Sequence, residues 1–139
     1  MRYQHTDDLL GHAIEEAYYE ISVLGGEMRE AYEGTPEPLK EGAGRSREVA
    51  ADLLEDSPPP FVPAAIEKQS ITWIEKRPIS SRKLFRPARR DNATSALRSC
   101  LAFLAKLDTP DEATIRLRET LQQDADVFDT VFFPGMTGR

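Results

Sequence analysis

The sequence predicts an all-α protein: a bundle of about four helices, a proline-rich extended or loop segment in the middle, and a C-terminal antiparallel helix hairpin. Three observations carry that prediction. Apolar residues recur in alternating steps of four and three over two long stretches, the seam of helices that pack lengthwise. A run of prolines, Pro58-Pro59-Pro60 and Pro63, separates those stretches and cannot be helical. Near the C-terminus, Thr109-Pro110-Asp111-Glu112 reads as a capping box between two apolar-periodic segments, and so short a connection folds one helix back on the other.

The first helix is expected to be capped by Thr6 or Asp7, with Asp7 and Asp8 favouring the positive end of its dipole. Its seam runs through Leu10, Ile14, Ala17, Ile21, Leu24, Met28 and Ala31, and Tyr18 and Tyr32 widen it beyond a coiled-coil stripe. Gly25-Gly26 lies inside, costing about 1 kcal/mol per glycine relative to alanine, which points to a kink or a close helix contact. Gly34 and the prolines at 36 and 38 end the run. A second helix starts near Ser46, with Val49, Ala50, Leu53 and Leu54 on its apolar face. After the prolines, Ser70 to Glu75 has strand-forming residues but no evident partner. Pro78 and Pro87 break the next segment into a loop. The third helix carries Ala93, Leu97, Cys100, Leu104 and Leu107, and the fourth carries Leu117, Leu121, Phe128, Val131 and Phe132. The expected organisation is one domain over 1–139: N-terminal helices in 1–57, a proline-rich and basic connector in 58–87, and the hairpin in 88–139.

Composition narrows the setting. No apolar run approaches the roughly 18 residues that span a bilayer, and the N-terminus lacks a signal-like apolar stretch. A single cysteine excludes an internal disulfide and suits a reducing compartment, so the expected location is cytoplasmic, without membrane association. No Walker loop, dinucleotide fingerprint, zinc-ligand cysteine set or serine-hydrolase elbow is present.

Charge is the strongest functional signal. Seven of eighteen basic residues fall between positions 76 and 90, uninterrupted by an acid, in a chain of net charge −6. Residues 1–75 hold sixteen acids against six bases, and residues 91–139 hold eight against five. Such a block attracts phosphate, nucleic acid or an acidic protein face. The candidate site is Lys83, Phe85, Arg86, Arg89, Arg90 and Asn92; its core, the second half of the block from Arg86 to Arg90, lies with Asn92 at or before the start of the third helix, where free amides and the dipole would assist guanidinium forks. The alternative is that these cations satisfy acids of the same molecule or of a second subunit.

Two further constellations are expressible. His5, Asp8, His12 and Glu16, in steps of three, four and four, could align metal ligands on one helical side, or serve as cap and surface groups. Glu27 and Glu30 form E-x-x-E, and Glu48 and Asp52 share a face of the second helix. In these residues the chain resembles the all-helical MazG-type nucleotide pyrophosphohydrolases, which pair E-x-x-E on one helix with E-x-x-D on the next. The resemblance implies a magnesium site on Glu27, Glu30, Glu48 and Asp52 that would hold a triphosphate. The spacing departs from that pattern, because Glu48 to Asp52 is one residue longer. Cys100 on an apolar seam reads as core, and Trp73 with Ile71 and Phe61 as a packing anchor.

The stretches Gly26 to Tyr32, Val49 to Glu55 and Arg89 to Ala93 are similar to small uncharacterised helical proteins encoded by phages and prophages. That resemblance implies a factor that inhibits or sequesters another molecule. The expected function is therefore a non-enzymatic, homo-oligomeric interaction protein, without cofactor, that binds an anionic partner (protein, nucleotide or nucleic acid) through its basic segment. A magnesium-dependent pyrophosphohydrolase and a purely structural assembly component are the alternatives.

Overall fold

A computed structural model describes residues 2–78 and 84–134 of the chain. Strand β1 (Arg2–Leu9) leads directly into helix α1 (Leu10–Glu33). A 3₁₀ turn at Glu37–Leu39 precedes α2 (Ala43–Leu54), and β2 (Ser70–Arg77), α3 (Arg86–Ala105) and α4 (Glu112–Thr130) follow. The fold is mostly helical but not all-α, because β1 and β2 form a two-stranded antiparallel sheet, with Thr6 opposite Trp73 and Asp8 opposite Ile71. This corrects the expected fold class.

The physical reason lies in β2. Ile71 and Trp73 are buried while Ser70, Thr72 and Ile74 are exposed, the period-two pattern of a half-buried strand. Its partner, Arg-Tyr-Gln-His-Thr-Asp-Asp-Leu, carries little apolar signal and is ordered by pairing. Thr6 and Asp7 are therefore strand residues rather than helix caps. Asp7 Oδ1 accepts the Thr72 hydroxyl at 2.6 Å, and Asp8 Oδ1 accepts the Leu9 N–H at 2.7 Å. The strand-to-helix joint is fixed by Leu10 N–H donating to Gln69 O at 2.7 Å and Gly11 N–H to Glu67 O at 2.9 Å.

The α1 seam is buried from Leu10 to Met28, and Ala31 is half-buried. Gly25 is a close contact between helices: a Cβ there would stand 2.3 Å from Glu55 N and 2.4 Å from Glu55 Cα. The contact is with the backbone at the end of α2, whose buried face is Ala50, Ala51 and Leu54. Val49 and Leu53 were expected on that face but point outward, 46% and 41% exposed. Arg29 on α1 locks the pair by binding Asp52 and Glu55.

The proline segment runs without regular structure from 57 to 63, with Val62 and Ile66 packed on the core. Phe61 is 74% exposed and takes no part in the Trp73 cluster. In the hairpin, Arg90 near the start of α3 donates to Phe128 O and Val131 O at the end of α4, both at 2.9 Å. The cap of α4 is Asp111, whose carboxylate accepts Thr114 N–H at 2.8 Å, rather than the expected Thr109. Tyr18 joins α1 to α4: it is fully buried, meets Phe128 edge-on, and donates to Asp124 at 2.6 Å. Among the described residues no helix is long and apolar enough to cross a membrane.

Candidate functional site

The basic segment is divided among three settings. Lys76 and Arg77 belong to β2 rather than to a loop. Lys83 lies outside the described residues. Phe85 precedes α3 in an extended conformation, and Arg86, Arg89 and Arg90 occupy the first turns of that helix.

These turns lie against α1, where Glu20 and Glu27 are seven residues apart and share a face. Arg86 Nε donates to Glu27 at 2.7 Å. Arg89 reaches both acids, with Nε 2.8 Å from Glu20 and Nη1 3.0 Å from Glu27. Burial alone would raise the Glu27 carboxyl, but hydrogen bonds and charge from Arg89 and Arg86 outweigh it and hold it below its ordinary range. Arg90 binds Asp91 at 2.7 Å and stacks over the Phe133 ring at 5.4 Å. Lys76 Nζ binds Asp91 at 2.6 Å from the other side. The Asp91 carboxyl is likewise lowered, since Lys76 and Arg90 outweigh its burial.

Asn92 clamps the sheet. Its Oδ1 accepts Lys76 N–H at 2.8 Å and its Nδ2 donates to Lys76 O at 3.1 Å. Arg86, Arg89, Arg90 and Asn92 thus meet partners within the chain.

The carboxylates Glu27, Glu30, Glu48 and Asp52 do not converge. Glu27 faces the α3 arginines, Asp52 faces Arg29, Glu48 lies 3.9 Å from Arg45, and Glu30 is exposed. His5 stands on β1, apart from α1. Asp8, His12 and Glu16 form a ladder in which His12 lies 2.6 Å from Asp8 and 3.4 Å from Glu16. The hydrogen bond to Asp8, then its charge, raises the His12 pKa. Among the described residues no three His, Cys, Asp or Glu side chains form a cluster able to hold a metal. Cys100 is fully buried, and burial followed by the charge of Asp8 pushes its thiol up to about 12.

Sequence reasoning missed a cleft of about 370 Å³ between the sheet and the first halves of α1 and α3. Alanines at 13 and 17 on α1 and at 93 and 96 on α3 leave the space. Trp73 lines it from β2 and is nearly buried. Four carboxylates border it (Asp8, Glu16, Glu20 and Glu75) against one guanidinium, Arg89. Thr6 Oγ1, on the same wall, is buried with no hydrogen-bond partner among the described residues. The sequence signal for this site was the paired small residues at helical spacing and the β2 alternation. Neither pointed to a cleft until Thr6 and Trp73 were known to be cross-strand neighbours.

No family model matches the chain, and no curated protein and no solved structure matches it.

Proposed function

We propose that this chain is a non-enzymatic binding protein whose recognition site is the cleft at Trp73, and that the cleft takes a ligand presenting a protonated amine. One observation carries the reading. The cation in the cleft wall, Arg89, is already committed to Glu20 and Glu27, while Asp8 and Glu16, which share the single imidazole of His12, and Glu75, 3.6 Å from Arg77, border the same space. A concave site with low-dielectric walls concentrates such a surplus of negative charge. The face of an indole attracts an ammonium group further, and the Thr6 hydroxyl offers it an acceptor. The opposite reading, an anionic partner held by Arg86, Arg89 and Arg90, requires that partner to compete with Glu20, Glu27 and Asp91 for the same donors.

Trp73 is the chain's one tryptophan, so its fluorescence reports on the cleft directly. Titration with spermidine is expected to change that emission saturably, and inorganic pyrophosphate is expected to leave it unchanged. The double substitution Glu16→Gln with Glu75→Gln is expected to weaken the spermidine response. A response to pyrophosphate alone, insensitive to both substitutions, would overturn the assignment.

A further inference from the structure

Strand β1 has two edges, and the backbone pattern shows which of its groups face away from β2. In an antiparallel ladder, residues directly opposite each other alternate between pairs that exchange backbone hydrogen bonds and pairs that do not. Leu10 N–H donates across to Gln69 O, which starts the bonded series at even positions of β1. The outer edge of β2 confirms the phase. Lys76 offers its N–H and C=O to Asn92, and Ile74 offers its C=O to Ser95, all on α3. Their opposite numbers are Tyr3 and His5. The N–H and C=O groups of Tyr3, His5 and Asp7 therefore point to the free edge of β1. At Leu9 that edge closes, because Asp8 Oδ1 takes the Leu9 N–H.

The two edges are treated differently. Side chains of α3 cover the β2 edge, whereas no described residue hydrogen-bonds along the β1 edge. That edge also has no proline and no bulge, two of the usual devices against strand addition, and its charges are Arg2, Asp7 and Asp8. Tyr3, Leu9 and Ile74 are 67%, 43% and 51% exposed on the outward face of the same ribbon.

We infer that β1 docks on β1 of a second copy of this chain, antiparallel about a two-fold axis at His5, to form a four-stranded sheet. Charge selects the occupant and the direction. The strand has a base at one end, Arg2, and acids at the other, Asp7 and Asp8. Antiparallel self-pairing sets Arg2 opposite the partner's Asp8, and symmetry makes that contact twice. A parallel arrangement would instead stack like on like. The register follows from the free groups: Tyr3, His5 and Asp7 exchange bonds in pairs only when His5 faces its own copy. The interface shares Asp8 with the wall of the Trp73 cleft, but its test reads the dimer itself and does not depend on ligand binding.

The experiment is cross-linking with mass measurement on the full chain. Paired residues of a bonded antiparallel pair stand about 5.5 Å apart at Cα, inside disulfide range. Under mild oxidation His5→Cys is expected to form a disulfide dimer, while Tyr3→Cys, placed opposite the partner's Asp7, is not. Cys100 is buried and leaves the readout clean. In sedimentation equilibrium the unmodified chain is expected to approach twice its monomer mass as concentration rises. His5→Pro removes an N–H that serves only the free edge, and is expected to abolish that rise with helicity retained. Should His5→Pro unfold the chain, Arg2→Glu is read in its place, with a lowered dimer fraction expected. A monomer at every concentration, or a dimer in which His5→Cys cross-links no faster than Tyr3→Cys, overturns the inference.

Discussion

Glu27 is the residue on which the reading of the basic segment turns, and Glu27→Gln tests it at nearly constant size. The carboxylate binds Arg86 Nε at 2.7 Å, Arg89 Nη1 at 3.0 Å and Arg89 Nη2 at 2.9 Å. Its side chain is 30% exposed, and those of Arg86 and Arg89 are 27% and 24%. Fully exposed ion pairs contribute about 0–1 kcal/mol, and breaking a buried one costs about 3–5 kcal/mol. The intermediate exposure places the loss at about 2 kcal/mol, with Glu20 still holding Arg89. For a chain of this size that lowers the melting temperature by about 6 °C. Thermal unfolding followed by far-ultraviolet circular dichroism reads the shift. The folded-state pKa of Glu27 lies below its ordinary 4.5, so the pairing supports the fold above that value and is lost as pH falls through the lower folded value. The advantage of the parent chain over Glu27→Gln should therefore shrink in acid. An unchanged or raised melting temperature near neutral pH would refute the argument, because it would mean that the arginines do not depend on α1.

Adjacent glycines should respond in opposite directions. Gly25→Ala gains about 1 kcal/mol of helix propensity but drives a Cβ into Glu55 backbone, for a net loss of about 2 kcal/mol; Gly26→Ala has open space and should gain about 0.5–1 kcal/mol. Urea unfolding of both variants decides it, and equal effects would remove the close-contact account of α1 and α2. Tyr18→Phe deletes the hydrogen bond to Asp124 and should cost about 1 kcal/mol by the same measurement. Cys100, buried and with its thiol pushed up to about 12, should resist a thiol-specific disulfide reagent at neutral pH until denaturant is added. Rapid native labelling would contradict its core placement.

The helices were legible because their signal is local. The four-three seam of α1, the third-helix run through Leu104 and the short hairpin connection each follow from neighbours within a few turns. What escaped is long-range. β1 is polar and looks like a capped helix start, and it becomes a strand only because β2 lies opposite, 65 residues away at the Asp7–Thr72 contact. The face of α2 was misread for a related reason. Leu53 and Val49 are large apolar groups, yet α2 buries Ala50, Ala51 and Leu54, and its end meets Gly25 through the Leu54–Glu55 backbone. How the end of α2 is set against α1, not hydrophobicity along α2 alone, chose the buried side.

The same distinction governs the charges. A count along the chain shows where bases exceed acids, but neutralisation depends on which faces meet. Arg86 finds Glu27 across 59 residues of sequence, and Arg89 finds Glu20 across 69. On α1 these acids sit seven apart, and on α3 the arginines sit three apart, so each pair occupies one helical face. Segregating the signs onto two helices that must pack gives them a preferred register, which scattered charges would not supply. The contrast that looks like an invitation to an external anion is thus already used between α1 and α3. Of the carboxylates lining the Trp73 cleft, Asp8 and Glu16 have His12 rather than an arginine as partner. On the proposed reading, recognition rests on the acids at the cleft, and the basic block is what leaves Glu20 and Glu27 out of the account.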